Sequence, residues 1–286
     1  MLNYFFSVLR QQAPARPRRA ADFHFCRLFK GDTHQLALAR HQHYLCAMLG
    51  LRPGMRVLHI GAGTGDAALE LVRYADVEVV STDADAEKVE YATRRARDAG
   101  LASKISFVHA NLEDLTNALP AASFDAIFAI ESLKIAESFE SIYAPLSTLL
   151  KQGGRIGTVE WCWTAQFDAE DADHARLAAT LEASAGLAER APNGRTMSAA
   201  CAALERAGLA VRRCEDLAAR VDRIPWHAPL EAALADGGSP WQGAGDMACA
   251  TGAFGGLSRD AAGVLVQAAK WQLFTPMAVF IAEKVV

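Results

Sequence analysis

Three glycines at alternate positions, Gly61, Gly63 and Gly65, follow the apolar run Val57-Leu58-His59-Ile60, and Asp83 stands 22 positions after the first of them. Glycine there lets the backbone turn tightly and lie against a ligand, while an acid closing the next strand accepts hydrogen bonds from both hydroxyls of a ribose. The combination reads as a nucleoside site. It requires a strand over 56–60 ahead of the glycines, a helix behind them to about Tyr74, and a strand over 77–82 delivering Asp83.

The same alternation of short β-branched runs and longer helical stretches continues from Met55 to Val159, as a parallel sheet with crossover helices demands. It predicts a helix to about Ala99 and strands over 105–109, 126–130 and 155–160, the last entered through Gly153-Gly154 as a turn. Beyond Glu160 the pattern lapses. An alanine-rich helix over 168–187 reads as a cap insertion, followed by a helix over 199–207, Gly208 as its stop, and a strand over 210–215. A second insertion over 223–272 carries Trp226, Trp241, Trp271 and a glycine-rich stretch over 237–256, ahead of a last strand over 277–283. The chain thus divides into an amino-terminal lid segment (1–50), a cofactor-binding core (51–160), cap insertions (161–198 and 223–273) and core continuations (199–222 and 274–286).

Dinucleotide and S-adenosylmethionine sites share the glycine-acid logic, and the last strand separates them. A seventh strand after a long helix-strand unit fits a methyltransferase sheet, whose terminal hairpin is antiparallel, better than a dehydrogenase. The expected fold is therefore α/β, a Rossmann-like class I methyltransferase with a mixed seven-stranded sheet, helices on both faces and a helical substrate cap. The expected cofactor is S-adenosylmethionine, with S-adenosylhomocysteine as product. Asn111, ending the third strand and followed by Glu113, is placed to touch the adenine.

With 29 basic and 33 acidic residues in 286, the net charge of -4 leaves no surplus for a polyanion and argues against nucleic acid as partner. An apolar small molecule fits better. The six cysteines are scattered without a close pair, so no metal site is expected and a reduced, cytoplasmic protein is. No apolar run approaches the ~18 residues of a spanning helix. The amino terminus places Leu2, Tyr4, Phe5 and Phe6 before Arg16, Arg18 and Arg19, opposite to a secretory signal. That order is open to two readings, peripheral contact with a membrane or an ordinary packed helix, and homo-oligomers are equally open.

Several ordered segments resemble the sterol C-methyltransferases. They are Phe23-His24-Phe25, Phe29-Lys30-Gly31-Asp32 and Arg40 to Leu45 ahead of the first strand; then Ile130-Glu131, Glu160-Trp161 and Gly186-Leu187. Glu215-Asp216-Leu217, Ile224-Pro225-Trp226, Pro229-Leu230 and Phe274 to Met277 complete the series. The resemblance implies methyl transfer to an isolated alkene of a sterol or related isoprenoid. Attack by an alkene leaves a carbocation, so the cavity must be dry, lined with π faces and equipped with a base. Tyr44, Trp161, Trp163, Trp226 and Trp271 are candidate walls, and His24, His41, His43, Asp32, Glu131 and Glu160 candidate bases. The expected catalytic set is Glu131, Glu160, His43 and Lys134. Glu131 is also expected at the cofactor, and Asp32, Tyr44, Trp163, Trp226 and Trp271 at the substrate.

Three departures fall on chemistry positions. His59 stands where the family has an acid that helps hold the cofactor's amino-acid end. After Glu131 the run Ser132-Leu133-Lys134-Ile135 places a cation and an apolar residue where the family has a histidine. The family's aromatic and acidic segment before Phe23 is replaced by an arginine- and proline-rich one. These point to a paralogue working on a non-sterol substrate. Two enzymes remain open: a C-methyltransferase of a specialised isoprenoid or polyketide, and a methyltransferase-fold cyclase or isomerase that transfers no methyl group. A non-enzymatic lipid-binding module is the third reading.

Overall fold

A computed structural model describes residues 24–185, 187, 194–220, 224–235 and 259–285. The amino-terminal segment before His24, Gly186, Trp241 and the glycine-rich stretch, all singled out above, lie outside the described residues.

Helix α1 (His34–Leu49) starts where Thr33 Oγ1 accepts the Leu36 N–H and stops at Gly50 in the left-handed region. Strand β1 (Arg56–Ile60) leads through the glycine loop to α2 (Asp66–Ala75), whose Ala68, Leu69, Leu71 and Val72 form the buried stripe. β2 (Glu78–Asp83) is followed by α3 (Ala86–Asp98), begun by Asp85, whose carboxylate accepts from the Glu87 and Lys88 N–H groups. β3 (Ile105–His109), a short helix α4 (Leu115–Ala118), β4 (Phe124–Ile130), α5 (Phe139–Leu149) and β5 (Leu150–Trp163) complete the first half. Then come α6 (Ala172–Ala185), α7 (Met197–Arg206), β6 (Leu209–Asp216), α8 (Ala228–Ala235), α9 (Arg259–Lys270) and β7 (Phe274–Lys284).

The seven strands lie in the order β3-β2-β1-β4-β5-β7-β6, with β7 antiparallel to both neighbours and the rest parallel. This is the expected mixed sheet. Because helices cover both faces, β1 and β7 read as nearly continuous apolar runs. Two cores result, one on the face of α1, α2 and the cap helices α6, α8 and α9, the other on the face of α5 and α7. The cap helices pack on one another, with α9 touching both α6 and α8.

Gly153-Gly154 departs from expectation. The pair lies inside β5, where pairing with β4 jumps from Phe124↔Leu150 to Ala126↔Arg155, so it forms a bulge instead of an entry turn. The helix expected over 168–187 starts later, because Asp171 Oδ1 accepts the Asp173 and His174 N–H groups and caps it there. The next helix starts earlier, at the cap Thr196.

Candidate active site

The glycine loop is held at the carboxyl end of the sheet. Gly61 and Ala62 N–H groups donate to Thr82 O (2.8 and 2.7 Å), and Gly63 N–H donates to Asp83 Oδ2 (2.8 Å). Asp83 Oδ1 accepts the Asp85 N–H at 3.0 Å, so the acid is fixed at the mouth of the crevice. Two glycines are sterically demanded. A Cβ at Gly61 (φ 86) would lie 2.5 Å from Ser132 Cβ, and one at Gly65 (φ 88) 3.0 Å from Ala92 Cβ. Gly65, the residue before α2, gives the first-turn N–H groups no side-chain cap, as suits the anion-binding start of a helix. A cradle of backbone donors beside a fixed acid fits an adenosyl ligand carrying a carboxylate. Asn111 is exposed after β3, and its Nδ2 donates to Asp114 over 3.4 Å.

His59 is fully enclosed: its ring stacks on Phe128 at 4.3 Å and Nδ1 is hydrogen-bonded to Ser81 Oγ at 2.8 Å. Burial pulls its pKa down to about 3, so it is a neutral ring at physiological pH. His24 and His41 lie near it, rings 5.4 Å apart, and each has an Nε2 without a partner. Burial first holds both low, His41 at about 4.

Glu131 occupies the position after β4, with φ of 53, a left-handed conformation that costs a non-glycine residue of order 1 kcal/mol. Its N–H donates to Val159 O and its Oε1 accepts the Phe25 N–H at 2.5 Å. Protein packed round the carboxyl raises its pKa to about 7; Lys134 and the Trp161 indole pull the other way, although that indole makes no hydrogen bond of ordinary geometry. By surface the residue is still partly open. The next residue, Ser132, donates its Oγ to Ile60 O (2.7 Å) and presses against Gly61, which seats Glu131 directly beside the cofactor loop. Lys134 Nζ sits 4.0 Å above the Trp161 ring centroid.

Glu160 does not join Glu131. Strand alternation turns it to the opposite face with Ile156 and Cys162, while Val159, Trp161 and Trp163 face the crevice side. There its Oε1 accepts the Leu133 N–H (3.1 Å), burial raises its pKa to about 8, and Arg195 opposes that shift. Arg195, 1% exposed, donates through Nη2 to Leu133 O and Ala136 O at 2.9 and 2.8 Å. Glu160 and Arg195 therefore brace the loop that carries Glu131 and Lys134. An arginine in a polar segment offers no sequence signal of such burial.

Four further expected residues face elsewhere. His43 pairs with Glu70 (2.8 Å) and stacks on Tyr74 at 3.9 Å on the outer surface of α1 and α2. Asp32 binds Arg40 and the Phe29 N–H, which fixes the turn before α1. Tyr44 is ringed by the guanidinium groups of Arg27, Arg213 and Arg220, between 5.3 and 5.9 Å away. Trp271 is 42% exposed and stands 6.1 Å from His174, outside the aromatic cluster.

That cluster runs from Glu131 into the cap. Phe25 meets Trp161 at 5.9 Å and Trp226 edge-on at 5.1 Å, and Phe274 lies edge-on to Trp161 and Trp163. Trp163, Trp226, Phe274 and Phe167 border a cavity of about 750 Å³ between the sheet end and the cap. Among the described residues no group of three or more His, Cys, Asp or Glu could hold a metal ion, and no helix is long and apolar enough to cross a membrane.

Sheet order, glycine cradle and trailing acid have the arrangement of the class I methyltransferase fold, and residues 51–213 match the family model described as a methyltransferase domain. The sterol 24-C-methyltransferase of Aspergillus fumigatus is 37% identical over 219 residues, 77% of this chain and 56% of that protein. That of Eremothecium gossypii is 30% identical over 287 residues, 92% of this chain and 75% of that one. The geranyl diphosphate C-methyltransferase of Streptomyces coelicolor A3(2), solved with S-adenosyl-L-homocysteine, superposes with a TM-score of 0.69 at 17% identity, covering 92% of this chain and 88% of that one. The chain belongs to the sterol 24-C-methyltransferase family. It spans a little over half the length of several of those relatives.

Proposed function

We propose that the protein transfers a methyl group from S-adenosylmethionine to a carbon atom of an apolar acceptor held beneath the cap. The reading is carried by the position of Glu131, tied to the cofactor loop through Ser132 and Gly61 and to the aromatic cluster through Phe25. Bound in the cradle, the cofactor supplies an electrophilic methyl carbon whose bond to sulfur breaks, sulfur keeping the pair, as the acceptor carbon supplies one.

The chain's residues divide the remaining work. The N–H groups at the start of α2 take the cofactor's carboxylate, and Asp83 takes its ribose hydroxyls. Phe25, Trp161, Trp163, Trp226 and Phe274 exclude water and hold the acceptor, each fully buried aromatic contributing on the order of 1.5–3 kcal/mol. Glu131, with a pKa near neutrality, is suited to take a proton from the acceptor. The acceptor enters between the cap helices α6, α8 and α9 and the sheet. The names of the relatives support a sterol or isoprenoid acceptor. His59 and Lys134 support one other than a sterol.

Calorimetry tests the cofactor half directly. S-adenosylmethionine or S-adenosylhomocysteine should bind wild type, and Asp83→Ala should weaken binding by about 1–3 kcal/mol. Absence of heat with both ligands would remove the reading.

A further inference from the structure

Lys134 makes neither an ion pair nor a hydrogen bond to any described residue. Its ammonium rests on the Trp161 ring, 4.0 Å from the centroid, and its charge acts on the Glu131 carboxyl. Both side chains come from one short loop. Glu160 and Arg195 brace that loop from behind at Leu133 and Ala136, and Ser132 fixes it against Gly61 in front. An ammonium and a carboxyl thus stand on one braced loop that abuts the glycine cradle at Gly61.

This pairing discriminates between carbon nucleophiles. Attack by an isolated alkene leaves positive charge on the acceptor, which needs bare π faces and no cation near it. At Trp161 the face is already covered by an ammonium, so a developing carbocation meets repulsion where it needs attraction. Attack by an enolate reverses the demand. Negative charge gathers on oxygen, and a cation in a water-poor site is what stabilises it.

We infer that the acceptor is an enolisable carbonyl compound on an apolar skeleton, with Glu131 removing the α-proton and Lys134 holding the enolate oxygen. In that step the proton passes from carbon to a Glu131 oxygen. The C–H electron pair becomes the enolate π pair, and charge moves to the oxygen beside Nζ. The enolate carbon is then the pair donor for the methyl group. The inference rests on the methyl-transfer reading and names its substrate class.

The test separates the two. Prenylated β-ketoesters of increasing chain length are incubated in deuterated buffer with the protein and S-adenosylhomocysteine, and deuterium at the α-carbon is followed; no methyl is available. Wild type should exchange above the buffer rate. Lys134→Met should slow exchange about 10²–10³-fold, the effect of removing one oxyanion donor, Lys134→Arg should recover part of it, and Glu131→Gln should abolish it. A Lys134→Met protein with unchanged melting temperature keeps the comparison clean, since the side chain is partly exposed. No exchange by wild type, or equal exchange by Lys134→Met, overturns the inference. Labelled methyl entering an isolated-alkene isoprenoid but no β-ketoester also overturns it, leaving methyl transfer standing, whereas failure to bind the cofactor overturns the reading beneath it.

Discussion

The backbone N–H of Phe25 donates to Oε1 of Glu131 over 2.5 Å, joining residues 106 positions apart. One bond thereby couples three parts: the segment ahead of α1, the strained residue after β4, and, through the contact of Phe25 with Trp226, the cap. Loss of any one part should be felt by the others. A carboxyl in that place senses both whether the entry segment is seated and whether the aromatic cluster is packed.

Glu131 carries the first prediction. A carboxyl with pKa about 7 is active as a base only when ionised, so turnover should rise with pH and level off above about 7. Glu131→Gln should lower kcat by about 10²–10⁴-fold, the usual contribution of general base catalysis, with little change in cofactor affinity. A rate profile flat between pH 6 and 8, or full turnover in the glutamine variant, would demote Glu131 to scaffold.

Two tryptophans should behave differently. Trp226, 6% exposed, packs on Phe25 and borders the cavity, so Trp226→Ala should raise the acceptor's KM about 5- to 150-fold, from 1–3 kcal/mol of lost contact. Trp271→Ala removes a largely exposed ring and should leave KM within about 2-fold. Steady-state kinetics on both variants decides, and equal effects contradict the placement of the cavity.

For Glu160 the expectation is structural. Glu160→Gln keeps an oxygen for the Leu133 N–H and should retain the wild-type pH profile. Glu160→Ala leaves that buried N–H without its acceptor, and should cost about 1–3 kcal/mol, read as a fall in denaturant midpoint. If the glutamine variant loses turnover while keeping its stability, Glu160 belongs to the reaction.

Much of this site is local in sequence. The glycine loop, Asp83 and the strands follow from period and punctuation, most plainly the inner ones, because strands buried on both faces read as continuous apolar runs. Glu131 is marked by the family resemblance, and its place at the end of such a run adds to it. Glu160 was legible as a strand-end acid, but the face it turns to depends on the count along β5, and this separates it from Glu131. His43, Asp32, Tyr44 and Trp271 carry plausible chemistry but face outward or toward other partners: Asp32 is taken by the nearby Arg40, and the rest by residues distant in sequence, Glu70, the arginines of β6 and the loop after it, and His174. Arg195 gave no sign at all, since its two carbonyl acceptors lie about sixty positions away.

His59 links the site to stability. Its folded pKa of about 3 lies below the ordinary 6.5, so the unfolded chain binds more protons between those values. Its stabilising contribution is full above pH 6.5 and is lost as pH falls toward about 3. His59→Gln removes that titration, and its stability curve in urea should be flatter than wild type there by about 1.4 kcal/mol per pH unit. His59→Asp places a carboxylate among Phe128 and Ser81 without a cation, so it should melt lower, and the cofactor's ammonium should restore part of the loss. Identical pH curves for wild type and His59→Gln would show that His59 is not held neutral by the fold.

Methyl transfer is tested most directly by following the methyl group itself. Purified protein is incubated with S-adenosylmethionine labelled in the methyl group and with apolar isoprenoid and polyketide acceptors, and the label is traced by mass spectrometry. Label should appear on a carbon of an apolar product in step with S-adenosylhomocysteine, and Glu131→Gln and Asp83→Ala should each suppress it. Conversion of an acceptor with all label left on the cofactor, or undiminished after the cofactor is stripped, contradicts methyl transfer and makes the protein a cyclase or isomerase on this fold.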